Sequence, residues 1–436
     1  MSEPIINIKR LIPFQVLDSR GRPTVALTLE LQDGSTHTAR VPSGASTGKH
    51  EAIELRDQNN SNSNKYYFGK SVNSAIANIK SFESKLVNKD LTLSQIDNLI
   101  LENDGANESA NAFAKFGANS ALAISLCATL ACAHVNGTSV ARLFSPKNDL
   151  VIPMPMVNIL SGGAHANRCM DIQDVLVIPN GAKDFPEALS WISAIRETAA
   201  QLGKDAGNLT NLVADEGGIA ISFKSIAQAC EFVVKAIEKV GLVPSEQVSL
   251  ALDVAATQFF KSDSGANGTY SLENEGRTFN SLQFIDYLGN LVSNLPIISI
   301  EDPFAEDDWD AWQIFTAKFE KKLQIVGDDL FTTNSNRLNK GLTENSANSI
   351  LIKVNQNGLI SKTKSVLEIA KNHGFATIVS ARSGETEDSW LADLAVGWQA
   401  EQIKVGSTHG SERNSKWNRL LQLCATEKVV FANPFK

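Results

Sequence analysis

The chain has 436 residues, 43% of them hydrophobic and 20% charged; 40 Lys and Arg against 48 Asp and Glu leave a formal charge of −8 and a pI near 5.4. That length exceeds one ordinary domain, and the apolar share suffices for a large core, which excludes a globally disordered chain. The acidic balance excludes a general nucleic-acid binder and a membrane-surface protein, though it is silent on a local anion pocket.

The start, MSEPIINIKR, has no basic segment leading into an apolar run, so no signal peptide is expected. Ile5–Phe14 and Thr24–Leu31 are rich in strand formers, and Asp33-Gly34 marks a turn before Ser35–Val41; together they predict an antiparallel meander. Pro42–Gly48 is too rich in Gly and Ser for an element interior and has the composition of a mobile lid; a plain connector has the same composition. Gln58–Asn64 reads as a polar surface loop. Helical periodicity follows at Val72–Leu86, Leu93–Leu101 and Gly117–Val135. The last of these contains the most apolar long stretch, but Asn119, Ser120, Ser125 and His134 interrupt it, so a buried helix is expected and not a membrane span. Strands followed by helices predict a smaller α+β domain over residues 1–148. The five cysteines, Cys127, Cys132, Cys169, Cys230 and Cys424, show no metal-ligand spacing and read as reduced thiols of a cytoplasmic protein.

From residue 149 to 436 short apolar strands alternate with amphipathic helical stretches, and each strand runs into a polar residue. Leu212-Val213-Ala214 leads into Asp215-Glu216, Leu250-Ala251-Leu252 into Asp253, and Ile297–Ile300 into Glu301. Ile325-Val326-Gly327 leads into Asp328, Ile350-Leu351-Ile352 into Lys353, Ile378-Val379 into Ser380–Ser383, and Ile403 into Lys404. Most intervals suit one strand plus one helix; the longer one between Asp253 and Glu301 leaves room for an insertion. Functional groups on every strand end predict an α/β fold of the (β/α)8 TIM-barrel kind rather than an open doubly wound sheet, whose functional groups gather at one switch point.

If the strand ends converge, Asp253, Glu301 and Asp328 form a set of carboxylates suited to a hard cation of the Mg2+ type, with no His or Cys to favour zinc. Taken singly, each reads equally well as a solvated strand end. Lys353 follows an apolar run that buries its stem; neighbouring cations would lower its pKa toward that of a base, whereas a structural ion pair with Asp328 or Glu301 is the alternative. Arg382, Ser383 and Lys404 together suit a phosphate or carboxylate. The acidic pair Asp215-Glu216, before two glycines, would supply a proton donor opposite Lys353, and Gly217-Gly218 would let the backbone approach a ligand.

These motifs together resemble the enolase family, phosphopyruvate hydratases, over essentially the whole chain. Asp18–Val25 (DSRGRPTV), Val41–Glu51 (VPSGASTGKHE), Ser161–Ala166 (SGGAHA), Asp215–Gly218 (DEGG), Ser299–Asp308 (SIEDPFAEDD), Lys353–Gln356 (KVNQ) and Arg382–Asp388 (RSGETED) carry the resemblance in order and spacing. The resemblance implies dehydration of 2-phosphoglycerate, a small anionic phosphorylated substrate, to phosphoenolpyruvate with two Mg2+ ions. Asp253, Glu301 and Asp328 would hold the first ion, and Ser46 of the lid would reach the second. Lys353 would remove the C2 proton and Glu216 protonate the departing C3 hydroxyl. Arg382 and Ser383 would bind phosphate and Lys404 the carboxylate, with His165 and Gln173 completing the pocket. A homodimer or higher homo-oligomer is also implied.

Three segments depart from the family pattern. Ala381 stands where an active-site His is expected, and Asp174 replaces a Glu, shortening a carboxylate near the leaving hydroxyl by one methylene. Gly406–Gly410 (GSTHG) lacks the usual Ser-Arg; its His409 reads as a solvated loop residue rather than a substitute for the missing His. Three readings therefore stand: an enolase, an enolase paralogue acting on a related phosphorylated or phosphonate acid as carboxyphosphonoenolpyruvate synthases do, and a non-catalytic enolase-fold protein.

Overall fold

A computed structural model of the chain describes residues 3–45, 48–57, 67–105, 112–262 and 268–436. The expected polar loop at Gln58–Asn64 and the lid residue Ser46 lie outside these.

The first domain follows the sequence closely. Strands Ile6–Leu17, Pro23–Leu31 and Thr36–Arg40 form an antiparallel meander, extended at its edge by Asp90–Leu91. The turn between the second and third is closed by Asp33, whose carboxylate accepts the Ser35 amide at 2.8 Å, and by Gly34 at φ 88°. One face of the meander, including Val25, Leu27 and Leu29, packs on the helix Ala118–Val135. That helix is 83% buried, because sheet and neighbouring helices surround it. Three of the polar residues that interrupt its apolar run are used internally: Asn119 accepts the Leu55 amide, Ser120 donates to the Ala75 carbonyl and Ser125 accepts the Ile360 amide, while His134 is exposed near the helix end.

The second domain is a closed eight-stranded barrel. Its strands are β1 (Met154–Ser161), β2 (Asp174–Ile178), β3 (Ser249–Asp253), β4 (Ile297–Glu301), β5 (Gln324–Gly327), β6 (Ser349–Ile352), β7 (Ala376–Ser380) and β8 (Gln402–Gly406). Met154, Met156, Leu176, Ile178, Ala251, Val326, Leu351 and Ile378 fill its interior. Side chains of Ser299, Gln324 and Gln402 bond to one another across it, which partners most of the polar groups buried among these apolar ones.

Two features depart from a regular (β/α)8 repeat. β2 runs antiparallel to both β1 and β3. The link from β1 to β2 contains only the single turn Gly163–Ala166 and no crossover helix, so the chain turns back on itself, as a parallel pair could not. Two helices, Phe185–Asp205 and Ile226–Lys239, then separate β2 from β3. The expected strand at Leu212–Ala214 does not form. It lies in the loop between those helices, with Leu212 and Val213 exposed, because no sheet edge is left for it to join. The long interval from Asp253 to Glu301 holds a three-stranded antiparallel sheet, Phe260–Ser262, Gly268–Leu272 and Arg277–Asn280, before the helix Ser281–Asn294.

Candidate active site

The C-terminal ends of the parallel strands make one mouth, and because β2 is reversed, its first residue joins them there. Asp174 stands opposite Asp253 in register, and Asp253 stands opposite Glu301. A cleft at this mouth is lined by His165, Gln173, Glu216, Asp253, Asp328, Lys353, Arg382 and Ser383. Eight predicted site residues are thus brought together, with Asp174, Glu301 and Lys404 bonded to them. Ser46 lies outside the described residues.

On one side, Lys404 Nζ lies 2.6 Å from Asp253 Oδ2 and 2.7 Å from Glu301 Oε2. Lys404 projects from within β8, not from its end, so its ammonium is buried between the two carboxylates. Gln173 Nε2 donates to Asp253 Oδ2 at 3.0 Å and is itself held by Gln258. Next round the barrel, Lys353 Nζ pairs with Asp328 Oδ2. Burial, the largest influence, would lower the Lys353 pKa, but carboxylates led by Asp328 and then Glu301 together reverse it and the pKa is raised. The expected lowering is therefore not found in this arrangement: the facing carboxylate dominates the cations Arg382 and Lys404.

The mouth holds more negative charge than its cations match. Asp302, Asp328 and Asp329 bring carboxylate oxygens within 4.8 Å of one another. Burial, and then the charge of Asp328, push Asp329 up to about 8; burial and Asp253 push Glu301 well above the carboxylate range. Asp302 was not anticipated as a site residue, although it follows Glu301 directly. Its backbone is left-handed at φ 41°, and its carboxylate accepts the Asp328 amide at 2.9 Å and the Asp329 amide at 2.8 Å, fixing the turn that presents both. Such a buried donor set, all oxygen and short of positive charge, fits a hard divalent cation. Among the described residues the tight acidic group is Asp302–Asp328–Asp329, while Asp253 and Glu301 are gathered by Lys404.

Across the mouth lie His165, Asp174 and Glu216. His165 Nδ1 is 3.8 Å from Asp174 Oδ2 and 3.9 Å from Glu216 Oε1. Burial would lower the His165 pKa, but Asp174 and Glu216 push it up to about 9. Burial would raise Glu216; His165, Arg413, Lys404 and Lys353 hold it down at about 2. The group therefore carries a proton on His165 beside an ionised Glu216. Glu216 reaches this position from a loop, with Asn158 donating to its Oε2 at 3.1 Å, whereas Asp215 is exposed. The glycines after it serve the protein's own packing and not a ligand: a Cβ on Gly217 would meet the His409 carbonyl at 2.6 Å, and one on Gly218 would meet Ser161 Oγ at 2.2 Å. His409 itself is exposed, as expected.

Arg382 is buried and makes a two-pronged pair with Glu51, both N–O distances 3.1 Å, and Nη1 also donates to Asn355 Oδ1 at 2.6 Å. The lid flank is tied down beside it: Ser43 and Gly384 exchange backbone hydrogen bonds, and the Ala45 amide donates to Ser383 Oγ at 2.7 Å. Glu51 was missed as a site residue because nothing local marks it; its role depends on contact with Arg382, far along the chain.

Two family models cover nearly the whole chain: residues 8–144 match the enolase N-terminal domain and residues 149–432 the enolase C-terminal TIM barrel domain. The chain belongs to the enolase family. For this enolase-family protein the matches support a lyase-type activity.

Proposed function

We propose that this enolase-family protein dehydrates 2-phosphoglycerate to phosphoenolpyruvate, with two Mg2+ ions as cofactors. The observation that carries this is the facing of Lys353, just past the end of β6, and the His165–Glu216 pair, beside β1, across one cleft. Asp253, Glu301 and Asp328 would hold the first divalent cation, with Ser46 serving the second; the ions would supply positive charge for the substrate carboxylate and match that of the aspartates around Lys353. Arg382 and Ser383 bind the phosphate, Arg with a planar pair of donors. Lys404 remains protonated beside its carboxylates and faces the substrate carboxylate. Lys353 Nζ, as the free amine, accepts the C2 proton, and Glu216 passes the proton held with His165 to the C3 oxygen. The C3–O bond then breaks, water leaves and the C2–C3 double bond forms.

One observation favours a second reading, an altered acid substrate of the phosphonate type. Ala381, between Ser380 and Arg382, places a buried methyl in the apolar core at a strand end and offers the cleft no polar group. Turnover of 2-phosphoglycerate, followed as phosphoenolpyruvate formation with and without Mg2+, decides between them. Absence of turnover at high enzyme, with turnover of a phosphonate analogue, selects the second reading.

We further propose a cytoplasmic homodimer or larger homo-oligomer. Ile12, Phe14 and Leu17 on the first strand and Leu209 and Leu212 in the barrel loop expose apolar side chains that a second copy would cover. Sedimentation as a monomer at micromolar concentration would contradict this.

A further inference from the structure

Asp174 has no part in the dehydration proposed above, yet it is completely buried and its carboxylate stands beside His165 and Glu216. One ligand atom from each of the three side chains lies within 4.8 Å of the other two. His165 Nδ1 is the hub, 3.8 Å from Asp174 Oδ2 and 3.9 Å from Glu216 Oε1. Both distances are too long for hydrogen bonds. Neither His165 Nδ1 nor Asp174 Oδ2 has a hydrogen-bond partner among the described residues, although both atoms are buried. Buried polar atoms left in this state carry a desolvation cost, which a group bonding to both would relieve.

The other oxygen of each carboxylate is already tied to β1. Ser161 Oγ donates to Asp174 Oδ1 at 2.5 Å, and Asn158 Nδ2 donates to Glu216 Oε2 at 3.1 Å. Each acid therefore turns its second oxygen toward His165, and outer contacts of this kind orient the ligands of metal sites. The donor set differs from that around Asp328: an imidazole nitrogen with two carboxylates suits a borderline ion such as Zn2+, whereas Mg2+ prefers oxygen alone. Lys404, Lys353 and Arg413 also bear on Glu216. Each is held by partners of its own: Lys404 by Asp253 and Glu301, Lys353 by Asp328, and Arg413 by the carbonyls of Arg382 and Val405.

We propose that His165, Asp174 and Glu216 form a site for a Zn2+-type ion, separate from the oxygen-only Mg2+ site. Two carboxylates and a neutral imidazole balance its charge. Bonds of about 2.1 Å at tetrahedral angles place ligand atoms about 3.4 Å apart, so the three must close in by about 0.4 Å. Glu216 and His165 line the cleft, which gives the ion an entry path and room for water as a further ligand. An ion there would take the place of the proton on His165 and hold Glu216, acting as a brake on dehydration; that consequence alone rests on the proposed reaction.

The test equilibrates the full chain with Zn2+ in excess Mg2+, which fills the oxygen-only sites, and reads retained zinc by calorimetry and X-ray absorption. One Zn2+ per chain, with a single imidazole in its shell, is expected. His165→Gln and Asp174→Asn should each bind it at least about 100-fold more weakly, since loss of even an outer contact costs about 10–100-fold. Asp328→Asn should keep it. An absence of Mg2+-resistant zinc, an all-oxygen shell in the native chain, or an imidazole shell that persists in folded His165→Gln, as for zinc on surface histidines, would each overturn the proposal. So would an equal loss in Asp328→Asn. The native spectrum needs no variant to fold and no readout requires turnover, so a failed dehydration assay leaves the result interpretable.

Discussion

Replacing Gly218 by alanine probes how the proton-donating side of the cleft is held. A Cβ there would stand 2.2 Å from Ser161 Oγ, 3.1 Å from Ser161 Cβ and 3.2 Å from Ser161 N. The hydroxyl cannot swing away without loss, since it donates to Asp174 Oδ1 at 2.5 Å, and the amide belongs to barrel strand β1. Ordinary contact begins near 3.4 Å, so the loop must retreat by about 1 Å. Glu216 sits two residues earlier on that loop and would move with it. A displacement of that size costs on the order of 100-fold in kcat, and the overpacking about 1–3 kcal/mol of stability. The assay is kcat for phosphoenolpyruvate formation, paired with urea denaturation. In the double variant with Ser161→Gly the stability loss should shrink, while activity stays low because Asp174 has lost its donor. A folded Gly218→Ala protein with unchanged kcat would refute the claim that this contact sets the position of Glu216.

Three further outcomes follow from the same geometry. Asp302→Ala leaves the buried Asp328 and Asp329 amides without acceptors, which should cost about 2–4 kcal/mol and weaken Mn2+ binding read by electron paramagnetic resonance; unchanged Mn2+ affinity would mean that these amides do not set the carboxylates. Arg382→Lys keeps the charge but loses the two-pronged pair with Glu51, so KM should rise more than about tenfold while thermal stability falls; an unchanged KM would remove Arg382 from phosphate binding. Asp97, on helix Leu93–Asp104, accepts the Ser361 amide at the start of barrel helix Ile360–Asn372, and burial pushes it up from 3.8 to about 6. Because the folded state holds this proton more tightly, the contribution of Asp97 is fully present below pH 3.8 and is lost as pH rises to about 6. Asp97→Asn should therefore gain on the native protein by up to about 3 kcal/mol in urea unfolding between pH 4 and pH 7, and a difference independent of pH would contradict the assignment.

The parts of this structure that were legible in the sequence are those with a local signature. Gly34 and Asp33 mark the turn between the second and third strands, and an apolar run ending in a polar residue marks each of the strands before Asp253, Glu301, Asp328 and Lys353. Reversal of β2 has no such mark, because the strand Asp174–Ile178 looks the same in either direction; only the missing crossover helix betrays it. Leu212–Ala214 has the same apolar-to-acidic pattern as a barrel strand, yet tertiary pairing decided against it. Within the site, charged residues at strand ends could be found, but their ionisation could not. Lys353 is raised and Glu216 lowered by partners, Asp328 and His165, that come from other parts of the chain. Glu51, Asp302 and Gln356 escaped notice for the same reason: each acts through a contact that exists only after folding.

The central claim, that Lys353 takes the C2 proton and the His165–Glu216 pair serves the opposite end of the substrate, is tested most directly by hydrogen exchange at C2. With 2-phosphoglycerate and Mg2+ in deuterated water, nuclear magnetic resonance of recovered substrate should show deuterium at C2 for the native protein and for Glu216→Gln, whose elimination is blocked after proton removal. Lys353→Met should show none. Exchange that persists in folded Lys353→Met, or that vanishes in Glu216→Gln while Lys353 is intact, would contradict the account.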